Sequence, residues 1–184
     1  SRIWILRRAI RPDHRIVAAV ASLASILGLP PRKDPLIMGI VNVTPDSFSD
    51  GGRYVDVSDA LIHARELVSQ GADVIDIGGE STRPGASSVS VEQELDRVLP
   101  VVEALAADGV LVSIDTSKPQ VMREAVHAGA LIINDVCALQ QPGALETAAN
   151  LKVSVILMHM LGTPRTMQDQ PSYKDVVMEI RSFL

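Results

Sequence analysis

The chain has 184 residues, 47% of them hydrophobic and 3% aromatic, with one cysteine and a net charge of −5. That length holds one domain with a full core, the apolar content excludes bulk disorder, and a lone thiol excludes an internal disulfide framework and suits a reducing compartment such as the cytoplasm. Residues 1–34 carry seven Arg or Lys against two Asp, and the remainder carries ten basic and twenty acidic side chains. A body that acidic is a poor general binder of nucleic acid, so any anion must be held locally by loops and helix N-termini.

The basic opening segment, residues 1–34, reads as a helix over the apolar stretch Ile16–Leu29 followed by a Pro30-Pro31 linker. The stretch is too short to span a bilayer, and no small-residue cleavage site follows it. An organellar presequence is the other reading of its arginines.

From residue 35 to 184, apolar strand-like runs alternate with helical patterns, the signature of βαβ units on a parallel sheet. The strands are expected at Leu36–Val43, Val74–Gly78, Val110–Asp115, Leu131–Asp135 and Ser154–Met158. They are nearly continuous in apolar residues, as in a sheet covered on both faces. The first helix should bury Ala60, Leu61, Ala64, Leu67 and Val68 and end at Gly71. A second starts at Ser90, with Gln93 completing a capping box, buries Leu95, Val98, Leu99 and Val102, and should kink at Pro100. A third has Ser117 and Gln120 in capping-box positions, Pro119 in its first turn and Gly129 at its end. A short fourth spans about Gly143–Asn150, and a fifth follows Tyr173.

An open doubly wound sheet and a TIM-type (β/α)8 barrel both accept this pattern. A GxGxxG turn after the first strand is missing, which weakens the dinucleotide-binding alternative. Five units in about 150 residues match the barrel repeat, whereas a closed barrel needs about 250 residues. The expectation is therefore a barrel domain with about five of its β/α units in this chain, incomplete at its C-terminal side.

Active sites of such barrels sit at the C-terminal ends of the strands, and the unusual polar residues fall there. Asn42 ends the first strand, with Asp46, Ser47, Ser49 and Asp50 in the loop beyond. Glu80, Ser81, Thr82 and Arg83 follow the second. The third ends at Asp115, the fourth at Asn134 and Asp135, the fifth at Met158 and His159. Asp115 can accept two hydrogen bonds from an aminopyrimidine-like edge; helix capping is its alternative role, set aside because Ser117 fills it. Asn134 offers a donor and an acceptor to a heterocycle, or ties the strand end to a turn. His159 has no second His or Cys at ligand spacing and is expected to pack at its strand end. Cys137 is expected to be a buried, inert thiol.

The segments NVTPDSFSDGG at 42–52, DIGGESTRPGA at 76–86, SIDTSKP at 113–119, AGALIINDV at 128–136 and VILMHM at 155–160 resemble the signatures of the dihydropteroate synthases, over roughly residues 35–170. Those enzymes join 4-aminobenzoate to a dihydropterin methyl diphosphate, release pyrophosphate with Mg²⁺ present, and are inhibited by sulfonamides. The resemblance implies that Asp115 contacts the pterin and steadies positive charge as pyrophosphate leaves. Asn134 would bind the ring, and Val136, Ile156 and Met158 would form its apolar slot, with plain core packing as the rival role for these three. Asn42 would stand near the magnesium and Thr82 at the diphosphate. Ser81, Arg83 and Pro84 would shape the aminobenzoate site, with Phe48 packed over the arylamine. The family's Asp after the sixth strand, Lys after the seventh and Arg-x-His after the eighth have no counterparts before Leu184. The 184-residue chain alone is thus expected to be aggregation-prone and weakly active, and a full-length protein to be a homodimer. A corrinoid methyltransferase and a pterin-binding protein without turnover are the alternatives; the motifs at 46–50 and 81–84 argue against the first.

Overall fold

A computed structural model describes residues 3–7, 35–44, 53–80, 88–163, 166–167 and 170–184, with the backbone alone at 3–7 and 53–56. The elements in chain order are β1 (Ile3–Arg7), β2 (Met38–Asn42), α1 (Arg53–Ser69), β3 (Val74–Gly78), α2 (Val91–Ala107) and β4 (Val112–Asp115). They continue with α3 (Pro119–His127), β5 (Ile132–Asp135), α4 (Ala144–Leu151), β6 (Ser154–His159) and α5 (Val176–Phe183). The sheet order is β1-β6-β5-β4-β3-β2. Strands β2 to β6 are parallel neighbours joined in sequence by helices, which is five consecutive units of a (β/α)8 barrel.

The basic opening segment holds a strand that its apolar content did not suggest. β1 pairs antiparallel with β6, with Ile3 opposite His159 and Arg7 opposite Val155. It covers the β6 edge, which an open sheet would otherwise present for pairing, and leaves β2 as the other edge of the sheet. The helix expected over Ile16–Leu29 lies outside the described residues.

Alternation along each strand divides its side chains between two faces. On the helix-facing side, Val41, Ile75, Ile77, Val112, Ile114 and Ile133 are almost wholly buried beneath the helices. α2 contributes Val98, Val101, Val102 and Leu105, all at 0% exposure, each stabilising by about 1.5–3 kcal/mol relative to an exposed side chain. On the other side Val74, Ile132 and Ile156 form a separate cluster with Met38 and Leu111, the apolar floor of the barrel interior.

Local signals set most helix ends. Ser90 Oγ accepts from Gln93 N while Gln93 Oε1 accepts from Ser90 N, so the capping box at α2 is complete. Gly71 and Gly129 take φ of +104° and +116° just beyond α1 and α3, a region that costs other residues strain.

Two expectations need correction, and a third is left open by the helix bounds. α3 has Lys118 as its N-cap, with no side-chain cap hydrogen bond, because Pro119 at the first position removes a donor that would need one. α2 continues past the exposed Pro100 to Ala107, which neither bears out nor overturns the kink expected there. Val68 is 38% exposed, on the margin of the α1 face that buries Ala60 and Ala64.

Candidate functional site

The strand register places the candidate residues in one row. Asn42 lies opposite Gly78, Gly78 opposite Asp115, Asp115 opposite Asn134, and Asn134 opposite Ile156. Asn42, Asp115, Asn134 and Ile156 thus lie in one row across four strands on the inner face. Gly78 sits in the middle of the row with no side chain. A Cβ there would stand 3.3 Å from Asn42 Oδ1 and 3.6 Å from Asp115 Oδ2. The glycine keeps open the space between the amide and the carboxylate.

One rung below, Asp76 lies opposite Ser113. Asp76 and Asn134 are each 3% exposed, and Asn134 Nδ2 donates to Asp76 Oδ2 at 2.8 Å. Burial pushes the Asp76 carboxyl above the usual range, while Ser113 and Asn134 pull it back toward ionisation. Ser113 Oγ stands beside the carboxyl without closing a hydrogen bond of full geometry. Among the described residues, Asp76 Oδ1, Ser113 Oγ and Asn134 Oδ1 are buried polar atoms without a partner.

The apolar part of the site divides. Ile156 belongs to the floor cluster and Met158 is 1% exposed, so core packing accounts for much of their burial. Val136, just past β5, is half-buried. Asn42 is exposed at the open β2 side, where Ile40 on the same face is 60% exposed.

Two residues expected at the mouth turn elsewhere. Asp135 spends both carboxylate oxygens on the turn that follows it, accepting from Cys137 N and Leu139 N at 2.8 Å each. Ala138 and Leu139 in that turn have positive φ. Burial raises the Asp135 carboxyl, and the two backbone donors oppose that shift. His159 packs as expected, with its ring edge-on to Phe183 at 4.7 Å and Nδ1 3.4 Å from the Tyr173 hydroxyl. Cys137 is half-buried rather than buried, and desolvation, reinforced by the charge of Asp135, pushes its thiol up, which keeps it a poor nucleophile.

Phe48, Ser81, Thr82, Arg83 and Pro84 lie outside the described residues, as do Asp46, Ser47, Ser49 and Asp50. The flanks of the second loop are well held. Lys118 Nζ bonds both Glu80 Oε2 and Glu94 Oε2, and Glu80 Oε1 accepts from Val89 N at 3.3 Å. Arg97 Nη1 donates to the Gly79 carbonyl at 2.8 Å. Burial works against the Lys118 charge, but its two carboxylate partners outweigh that and hold it above the ordinary lysine value. Sequence reasoning missed Asp76, Ser113 and this Lys118 network. The available signal was a carboxylate inside VIDIG, a run otherwise suited to full burial.

Five consecutive β/α units with amide and carboxylate groups in a row on their inner face define the class: a (β/α)8-barrel protein. The chain belongs to the pterin binding enzyme family, whose pattern matches residues 38–184. It is 57% identical over 150 residues to a dihydropteroate synthase of Escherichia coli K12, covering 81% of this chain and 53% of that protein. Among solved structures it is similar to the Yersinia pestis dihydropteroate synthase in complex with a sulfonamide drug, with a TM-score of 0.73 and 57% identity over 81% of this chain and 55% of that one. The Xanthomonas albilineans dihydropteroate synthase with 4-aminobenzoic acid gives a TM-score of 0.72 and 56% identity over 82% and 54%. The chain spans about half the length of the curated relatives it matches.

Among the described residues no helix is long and apolar enough to cross a membrane, and no cluster of three or more His, Cys, Asp or Glu side chains is placed to hold a metal ion.

Proposed function

We propose that this protein acts as a dihydropteroate synthase. It condenses 4-aminobenzoate with (7,8-dihydropterin-6-yl)methyl diphosphate to give dihydropteroate and pyrophosphate in folate biosynthesis. The observation that carries this reading is the inner-face row of Asn42, Gly78, Asp115 and Asn134, set above an apolar floor, in a chain so similar to the synthases.

The residues do their work by position and charge. Asn134 and Asp115 bind the hydrogen-bonding edges of the pterin, and Val136, Ile156 and Met158 bound its faces. As the C–O bond to diphosphate breaks, positive charge grows on the pterin methylene, and the Asp115 carboxylate stabilises it. The arylamine nitrogen then forms the new C–N bond and loses its proton to solvent. No enzyme nucleophile is required.

Magnesium fits the residues present. Asn42 supplies one hard amide oxygen, Oδ1, beside the side-chain-free Gly78 at the open mouth, as suits an ion held mainly by water and phosphate oxygens. When bound it would neutralise charge on the departing diphosphate. Thr82 is assigned to the diphosphate, and Phe48, Ser81, Arg83 and Pro84 to the arylamine side, on their place in the family-like motifs alone; the similar enzymes with 4-aminobenzoic acid and a sulfonamide bound support an arylamine as the second substrate. We place the protein in the cytoplasm, as a homodimer.

The test is dihydropteroate formation from the pterin methyl diphosphate and labelled 4-aminobenzoate with Mg²⁺, beside Asp115→Ala. Product that vanishes in the variant supports the synthase. Pterin binding without product points instead to a pocket that needs groups outside this chain for turnover.

A further inference from the structure

A primary carboxamide has one oxygen and one NH₂, so fixing one end fixes what the other can do. Asn134 Nδ2 is committed to Asp76 Oδ2 at 2.8 Å, both groups being almost wholly buried. The flipped amide would set two oxygens against each other in a site of low dielectric, which is why the chemistry assigns this orientation. Among the described residues, Asn134 Oδ1 is then left buried and without a partner. An unmet buried acceptor carries its desolvation cost uncompensated, and a donor on a bound ligand would recover it.

We propose that Asp76 is a positioning residue: by accepting the Asn134 NH₂ it presents Asn134 Oδ1 as the acceptor for an exocyclic amino group of the bound heterocycle. The proposal rests on the reading of the site as a pterin pocket. Asp76 does not itself need to touch the ligand. It lies a rung below the row of Asn42, Asp115 and Asn134, opposite Ile40 and Ser113 rather than beside the mouth. Its work is to deny Asn134 the second orientation, in which an NH₂ would meet the ligand and favour a carbonyl. The site therefore discriminates by polarity, selecting a 2-amino-4-oxo pteridine over its 2,4-dioxo counterpart. That selection is set by a residue buried behind the one that makes the contact.

Two measurements on the 184-residue chain test this. The first is the side-chain amide signal of Asn134 in ¹⁵N-labelled protein without ligand. The second is calorimetric binding of pterin-6-carboxylate against lumazine-6-carboxylate, which differ in the 2-amino and 2-oxo groups. Expected are a protected Asn134 NH₂ pair that loses protection in Asp76→Val, and a preference for the pterin of about tenfold or more that falls to within about threefold in that variant. The exchange variant Asp76→Asn/Asn134→Asp keeps a donor below and an acceptor above, and should restore the preference even if Asp76→Val folds poorly. An Asn134 amide indifferent to Asp76, or a pterin preference that survives Asp76→Val, overturns the proposal. If the unaltered chain binds neither compound, the pterin reading fails and the ligand half of the proposal falls with it. The amide signal then decides the Asp76–Asn134 half on its own.

Discussion

Replacing Lys118 with Met would remove the ammonium from between two carboxylates while keeping most of the aliphatic stem. Glu94 bears the consequence, for its side chain is 1% exposed and its Oε1 has no partner among the described residues. Stripping one partner from a buried ion pair costs about 3–5 kcal/mol. Met keeps most of the stem's packing, so the loss should lie at the lower end of that range, about 3–4 kcal/mol. Glu80 adds little, because at 29% exposure water screens much of its interaction. Against a total stability of about 5–15 kcal/mol, that is a large fraction. Urea unfolding followed by circular dichroism at pH 7 would measure it. Adding Glu94→Gln to Lys118→Met should recover most of the loss at neutral pH. A deficit below about 1 kcal/mol, or one indifferent to the second change, would refute the view of Glu94 as a buried charge held by Lys118.

Further outcomes follow from single sites. Ser90→Ala removes one half of the α2 capping box and should lower stability by about 1 kcal/mol in the same urea assay. Gly129→Ala should cost more, since its φ is +116° and the new Cβ would lie 2.5 Å from Ala106 Cβ; thermal unfolding would show it. Gly78→Val should weaken pterin binding, measured by calorimetry, by filling the gap between Asn42 Oδ1 and Asp115 Oδ2. Asp76 has a folded-state pKa raised by burial above 3.8, so its contribution is fully present below that value and is lost as pH rises through the folded pKa. Asp76→Asn should therefore flatten the fall of stability with rising pH above about pH 4, measured by urea titrations across the range.

Most of the architecture was legible because its signals are local. Val74–Gly78 appeared with its observed bounds, and the Ser90–Gln93 box needed only a three-residue spacing. The α3 start was misread for the same reason: Ser117 and Gln120 have the right spacing, yet Pro119 and the Thr116 Oγ1 acceptor for Lys118 N settle the turn without them. That removes the ground on which capping was set aside for Asp115, whose place in the inner-face row now carries its assignment. The row itself was foreseeable as a set of strand ends but not as a register, because which residue faces which depends on strand pairing. The Lys118 network was not legible, since it joins residues 24 and 38 positions apart in sequence. β1 was missed because its pairing partner lies about 150 residues away.

β3 shows how the chain separates stability from recognition within five residues. All five are buried, and the strand is paired on both sides. Ile75 and Ile77 face the helices at 0% exposure and are the β-branched residues such a strand favours. Asp76 and Gly78 face the interior and are among the residues it favours least, one carrying a desolvation cost and the other giving up a side chain. Neither choice helps β3 to form. Both make sense on the inner face, where Asp76 holds Asn134 and Gly78 leaves room beside Asp115. The two disfavoured residues in this strand fall on the same side, the one a ligand would occupy. Stability assays should therefore find the helix-facing pair costly to truncate, while binding assays find the interior pair costly to change.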